Sequence, residues 1–283
     1  MRRGGGGESI GHAAFCPGRD ITIFNLRISN KPGSLYQVLN VFKNRSLNIV
    51  HLSSLRCQCL PEDFTDVAVF TDFTGLSITV EELLEELRCL DVVVEVVALR
   101  PELPGLAVNM AAFPLELLGY RAIVLRKPVY MGLFYGMRKR LGSAGDALIY
   151  HVGLEAGRGL GADIIRMGYA DRLPIALKLI EIIHGRAVLE FVEYKPREGR
   201  YVVRAYHLFE CEDVESPSQP NSSFYRGFLA GIMESVMGIE MSVTETKCIA
   251  VGDEYCEFRL EPRSSGNPMV ERQIKVSKRD NKG

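Results

Sequence analysis

Between Ile21 and Leu99 the apolar pattern switches repeatedly between a period of two and helical spacing, and this order restricts the fold more than any other feature of the chain. Ile21 to Arg27 alternates as a strand. Ser29-Asn30-Lys31-Pro32-Gly33-Ser34-Leu35 then leads into a helix with apolar positions at Leu35, Val38, Leu39 and Phe42. Leu47 to Cys59 reads as a second strand and Phe64 to Phe73 as a third. Thr79 caps a helix running to about Leu90, with Glu82 three residues on in a capping-box pattern. Asp91 to Leu99 closes the set as a fourth strand. Strand-helix-strand-strand-helix-strand is the split βαβ arrangement, a ferredoxin-like βαββαβ module.

The first turn of this module has binding chemistry of its own. A helix N-terminus leaves amides unpaired and carries partial positive charge, so it attracts a carboxylate. Gly33 permits close backbone approach, and Asn30 and Asn48 can hold an ammonium or amide. Pro-Gly-Ser before a helix is equally ordinary turn-and-cap chemistry. N-K-P-G-S-L before the first helix and L-N-I at the second strand resemble the ACT domain, over about Asp20 to Arg100. That resemblance implies a small amino acid bound by the loop and first helical turn, across an interface between two copies. The residues it marks are Asn30, Pro32, Gly33, Ser34, Leu35, Asn48 and Ile49. Cys57 and Cys59 share one strand face by period two and read as strand packing.

Outside this module, residues 1–19 are Gly-rich without periodicity and are expected to be a disordered tail. Pro101, Pro104 and Gly105 mark a linker over 101–112. Ala122 to Leu125 is a short apolar strand. Tyr130 to Leu141 is a helix with Leu133, Phe134, Met137 and Leu141 on one face and Arg138, Lys139 and Arg140 outward. Asp146 to about Ile165 is a helix bearing Gly153, Gly157 and Gly161 at spacing four. No Lys-Ser or Lys-Thr follows them, so they read as a packing stripe, not a phosphate loop. Asp171 to Gly185 is a helix with Asp171 as its N-cap. Ala187 to Tyr194 and Tyr201 to Cys211 form a hairpin, and Ser223 to Gly238 is a further helix. Residues 263–283 are a basic tail.

The stretch T-E-T-K-C-I-A-V-G-D-E-Y-C, Thr244 to Cys256, places a carboxylate and two thiols in an expected hairpin. With a turn centred on Gly252, Cys248 and Cys256 lie opposite each other, close enough for two thiolates to share a zinc. Glu245 falls on the other face by strict alternation and joins them only through a bulge or bend. Buried apolar thiols, or a cross-strand disulfide, are the other readings of the two cysteines.

S-S-F-Y-R-G-F-L-A-G-I followed by T-E-T-K-C-I-A-V-G-D-E-Y-C-E-F resembles the 4-vinyl reductase-type domain, over residues 113–262. The family implies an α+β fold in which an antiparallel sheet and helices surround an apolar pocket. It also occurs as the sensor part of bacterial activators that respond to aromatic compounds. In its metal-binding members a zinc is held by a glutamate, a cysteine three residues on and another eight further, the spacing of Glu245, Cys248 and Cys256. A fourth cysteine ligand lies at the start of the preceding helix, where this chain has Ser222; water or Cys211 is left to complete the shell.

No flavin or nicotinamide fingerprint is present, and reduction of a vinyl group then has no electron source in this chain. The expectation is an α+β, non-enzymatic ligand sensor with zinc as its only implied cofactor. It would take a small amino acid in front and an apolar or aromatic molecule behind. An enzyme or accessory of tetrapyrrole vinyl reduction is the alternative. The formal net charge of −1 gives no reason to expect a nucleic-acid or membrane partner. A homodimer is expected from the exposed sheet, and an odd cysteine count without an apolar leader points to the cytoplasm.

Overall fold

The computed structural model describes residues 11–54, 63–212, 214 and 220–263. The chain divides into two compact units, Met1–Val124 and Leu125–Gly283. Both are mixed α and β with antiparallel sheets. Among the described residues no helix is long and apolar enough to cross a membrane.

In the first unit, β1 (Ala13–Phe15) precedes β2 (Ile21–Ser29), α1 (Ser34–Asn44), β3 (Asn48–Ser54), β4 (Phe64–Asp72), α2 (Val80–Arg88) and β5 (Val93–Leu99). The main sheet has the order β3-β4-β2-β5 and is antiparallel at every pairing. Alternation along β2 decides the layers. Phe24, Leu26 and Ile28 face α1 and α2 and pack with Val38, Phe42, Leu83 and Leu87. Ile21 and Ile23 face the other way, with Ala68, Phe70 and Ala107. Thr79 and Glu82 form both halves of the capping box at the start of α2.

That second face corrects the expected tail and linker. Residues 13–15 form β1, which pairs with β6 (Leu106–Val108) across the sheet. Asn109 is 2% exposed and its side-chain amide exchanges two hydrogen bonds of 2.9 Å with Asn25 of β2. A three-residue strand has no periodicity to read, and its partner is distant in sequence, so composition alone misplaces it. Cys57 and Cys59 lie outside the described residues. Ala122 to Leu125 is not a strand; the local pairing is β7 (Glu116–Leu117) with β8 (Tyr120–Arg121). The Ala122 amide donates to the Leu115 carbonyl oxygen at 2.7 Å, but the ladder does not continue past it.

The second unit runs α3 (Lys127–Leu141), α4 (Ser143–Arg166), α5 (Leu173–Ile183), β9 (Val188–Lys195), β10 (Arg200–Tyr206), α6 (Ser223–Met237), β11 (Met241–Lys247) and β12 (Cys256–Pro262). Its sheet has the order β11-β12-β10-β9. Asp171 does not cap α5. It lies in a 3-10 turn, Ala170–Arg172, and the helix opens on Leu173 with Pro174, which suits a first turn that lacks hydrogen-bonded amides. β10 ends at Tyr206, so Cys211 is past the strand, in a turn.

The glycine stripe of α4 is a backbone contact with α6. A Cβ on Gly153 would sit 2.1 Å from the Phe224 carbonyl oxygen, and one on Gly157 2.1 Å from that of Phe228. The approach is reciprocal, since a Cβ on Gly227 or Gly231 of α6 would sit 2.0 or 2.1 Å from the Tyr150 or Leu154 carbonyl oxygen. This pair fixes α6, and Ser222, directly before the helix, reaches the thiols described next. Phe228, Leu229, Ile232 and Met233 of α6 fill the core against Val203, Phe258 and Leu260 of the sheet.

Candidate metal centre

The β11–β12 hairpin carries a bulge. Its register steps from Glu245 opposite Phe258 to Lys247 opposite Glu257, leaving Thr246 as the extra residue. One extra residue reverses the alternation, and so brings Glu245 to the side of Cys248. The connection is longer than a tight turn on Gly252. It runs from Cys248 through a 3-10 turn, Ile249–Val251, to Gly252 at φ +104°. The Cys248 amide donates to Asp253 Oδ2 at 2.8 Å, and the Ile249 amide to Cys256 Sγ at 3.4 Å, which ties the loop back on the thiols.

Cys211 joins this group from the turn after β10. Its Sγ is 3.6 Å from Cys248 Sγ and 2.9 Å from Ser222 Oγ. One ligand atom from each of Cys211, Glu245, Cys248 and Cys256 lies within 4.8 Å of all the others. The three cysteines are buried and Glu245 half-buried. Ser222 stands just before α6 and is 1% exposed. Its amide donates to Glu245 Oε2 at 3.1 Å and its hydroxyl to Glu245 Oε1 at 2.5 Å.

These residues fit a zinc ion. With Zn–S bonds of ~2.3 Å, two thiolates on a tetrahedral centre stand ~3.8 Å apart, and the Cys211–Cys248 separation is close to that value. Ser222, at the position where the sequence resemblance expects a fourth thiol, acts here as a donor to the carboxylate. A neutral hydroxyl is a poor zinc ligand, and the Cys211 thiol, from another element, is the group that could take that position.

The electrostatics agree with a group that wants a cation. Burial pushes the Glu245 carboxyl up to about 8; the Ser222 hydroxyl works against the shift and the neighbouring Cys248 thiolate adds to it. Cys248 is held well below the usual thiol range, because the Cys211 and Cys256 thiols donate to its sulfur. Cys211 is driven up correspondingly, chiefly by giving its proton to that bond with Cys248. The three contacting thiols thus compete for negative charge. A divalent cation lets all three ionise.

The network around Cys211 was invisible in the sequence. The preceding residue, Glu210, is 1% exposed and accepts from the Phe224 and Tyr225 amides at 3.0 and 2.9 Å, capping α6. Arg138 donates to it at 2.7 Å. Arg138 therefore does not face outward as its basic neighbours suggested. Fully buried Glu181 pairs with Arg186 and accepts from the Tyr225 hydroxyl at 3.1 Å. The only sequence signal for any of these was an acidic residue beside a cysteine.

In the first unit the expected ligand residues separate into two groups. Asn30, Pro32, Gly33, Ser34 and Leu35 follow Ser29, which lies opposite Phe64. Gly33, at φ +91°, caps α1 without a side-chain bond, and Ser34 is buried. Asn48 and Ile49 open β3 opposite Asp72 and Thr71, level with Ile21 and Thr22 at the other end of β2. Eight residues of strand span ~27 Å. One copy of this unit therefore does not bring Asn30 and Asn48 together.

A mixed sheet-and-helix unit with a buried thiol-carboxylate cluster is the class that this geometry defines. Residues 201–262, which hold Cys211, Ser222 and the hairpin, match the family model of the 4-vinyl reductase domain. The uncharacterized protein MJ0150 of Methanocaldococcus jannaschii is 29% identical over 134 residues, covering 46% of this chain and 75% of that protein. MJ1642 of the same organism is 26% identical over 127 residues, covering 45% and 71%. Among solved structures, the phenol-responsive sensory domain of the transcription activator PoxR with phenol gives a TM-score of 0.45 at 16% identity. It covers 56% of this chain and 86% of that one. A vinyl-4-reductase family protein from Methanocaldococcus jannaschii gives 0.36 at 21%, covering 50% and 85%.

Proposed function

We propose that this chain is a non-enzymatic sensor of small molecules, with a structural zinc in its second unit. The observation that carries the reading is the convergence of Cys211, Glu245, Cys248 and Cys256 within 4.8 Å. Four protein ligands close a tetrahedral shell. Structural zinc sites are closed in this way, whereas catalytic ones keep a position for water or substrate. The match to the 4-vinyl reductase domain supports the same reading, because the resemblance implies a sensor domain with an apolar ligand pocket.

The zinc would join the turn after β10 to the β11–β12 hairpin, and Glu245 would join both to α6 through Ser222. The second unit would take a small apolar or aromatic molecule. The first unit would be a ferredoxin-like, ACT-like module taking a small amino acid between two copies. Signalling would follow from differential affinity: a ligand that prefers one arrangement of the protein shifts the population toward it.

Native mass spectrometry of the purified full chain with metal analysis, followed by a thermal-shift screen of amino acids and aromatic acids, tests this. One zinc per chain is expected. A ligand at 100 times its dissociation constant should stabilise the fold by about 2.7 kcal/mol. Turnover of any compound, or a tightly bound redox group, contradicts the proposal.

A further inference from the structure

Arg138 of α3 is 72 positions from Glu210, yet its Nη2 donates to Glu210 Oε1 and to the Asn221 carbonyl oxygen, both at 2.7 Å. Its Nε donates to Asp146 Oδ1 at 2.8 Å, and the same oxygen accepts from the Ser223 hydroxyl at 3.1 Å. Asn221 Nδ2 in turn donates to the Glu210 carbonyl oxygen at 3.2 Å. The two residues pinned by this network, Glu210 and Asn221, directly precede Cys211 and Ser222. α3 reinforces the hold with one stripe of side chains. The Tyr130 and Phe134 rings contact Phe209, beside Glu210, at centroid separations of 5.4 and 5.9 Å, and Arg138 continues the stripe one turn on.

We propose that Arg138 and Glu210 are positioning residues for the metal centre, fixing the Cys211 thiolate where it completes the ligand set. This rests on the zinc reading above. Cys211 sits in a turn, not in a strand, so its own hydrogen-bond ladder does not hold it in place. The Glu210 carboxylate anchors that turn to the first turn of α6, and Arg138 supplies the cation that this buried carboxylate requires. Removing the cation leaves a charge the site cannot keep, and Glu210 relaxes toward water. A thiol bond of ~2.3 Å does not survive a shift of about 1 Å in its backbone. The centre then falls back to Glu245, Cys248 and Cys256, the three ligands that the hairpin carries alone.

Cobalt(II) is the probe, used on the full chain, because thiolate-to-cobalt charge-transfer absorption reports how many sulfurs are bound. Wild type should show a three-thiolate intensity and Cys211→Ser a two-thiolate one. Arg138→Met and Glu210→Gln should both give the Cys211→Ser spectrum and bind cobalt roughly 10–100-fold more weakly, the range for outer-shell partners. Arg138→Lys, which keeps the charge, should recover part of the intensity. Glu210→Gln keeps the side-chain volume but replaces one of the two acceptors of the Phe224 and Tyr225 amides with a donor, and it carries the test if Arg138→Met does not fold. Wild-type spectrum and affinity in both variants would overturn the positioning role while leaving the metal reading intact. Failure of wild type to bind cobalt would overturn both.

Discussion

Ser222 donates to Glu245 twice, through its amide at 3.1 Å and its hydroxyl at 2.5 Å. The serine therefore serves the carboxylate, and in the proposed zinc site the third thiol would be that of Cys211. Ser222→Ala should retain zinc and cost about 1–3 kcal/mol, the penalty for withdrawing a donor from a buried acceptor. Cys211→Ala should lose tight zinc binding. Metal stoichiometry and chemical denaturation of the two variants separate the roles. Zinc lost equally from both would contradict the assignment.

The α4–α6 contact predicts opposite outcomes for two glycine-to-alanine changes. At Gly157 a Cβ meets the Phe228 carbonyl oxygen at 2.1 Å, so Gly157→Ala must push two helices apart. A loss of about 1–3 kcal/mol or more is expected. At Gly132 of α3 nothing lies within 4 Å of the added Cβ, and Gly132→Ala should stabilise by about 0.5–1 kcal/mol through helix propensity. Denaturation midpoints of both variants check the pair.

His184 gives the stability of the second unit a pH dependence. Burial, and then the nearby Arg186 cation, hold its imidazole below the ordinary value of 6.5. The unfolded chain thus takes up a proton at a higher pH than the folded one. The stability linked to neutral His184 is complete above about pH 6.5 and is lost as pH falls toward the lower folded value. Thermal melts between pH 7.5 and 5.5 should show this fall, and His184→Gln should flatten it. An unchanged slope would remove His184 as the cause.

Much of the first unit was legible because its signals are local. The alternation in β2 and the Thr79–Glu82 box announce themselves within a few residues. β1 did not, because three residues hold no period and the pairing with β6 depends on the sheet face beneath. In the second unit the spacing of Glu245, Cys248 and Cys256 was readable, and so was the need for a bulge, which the Thr246 register step meets. Cys211 could be named beside water as a way to complete the shell but not placed there, since a turn residue is positioned by tertiary packing alone. Arg138 misled by its residue type. Lys139 and Arg140 do face solvent, but Arg138 is eight residues from Tyr130 and falls on the aromatic side of the helix.

The zinc K-edge absorption fine structure of the purified chain tests the central claim most directly. A first shell of three sulfurs at ~2.3 Å and one oxygen at ~2.0–2.2 Å is the predicted result, with one sulfur lost in Cys211→Ser. A shell of two sulfurs in wild type, or one unchanged by Cys211→Ser, would contradict it.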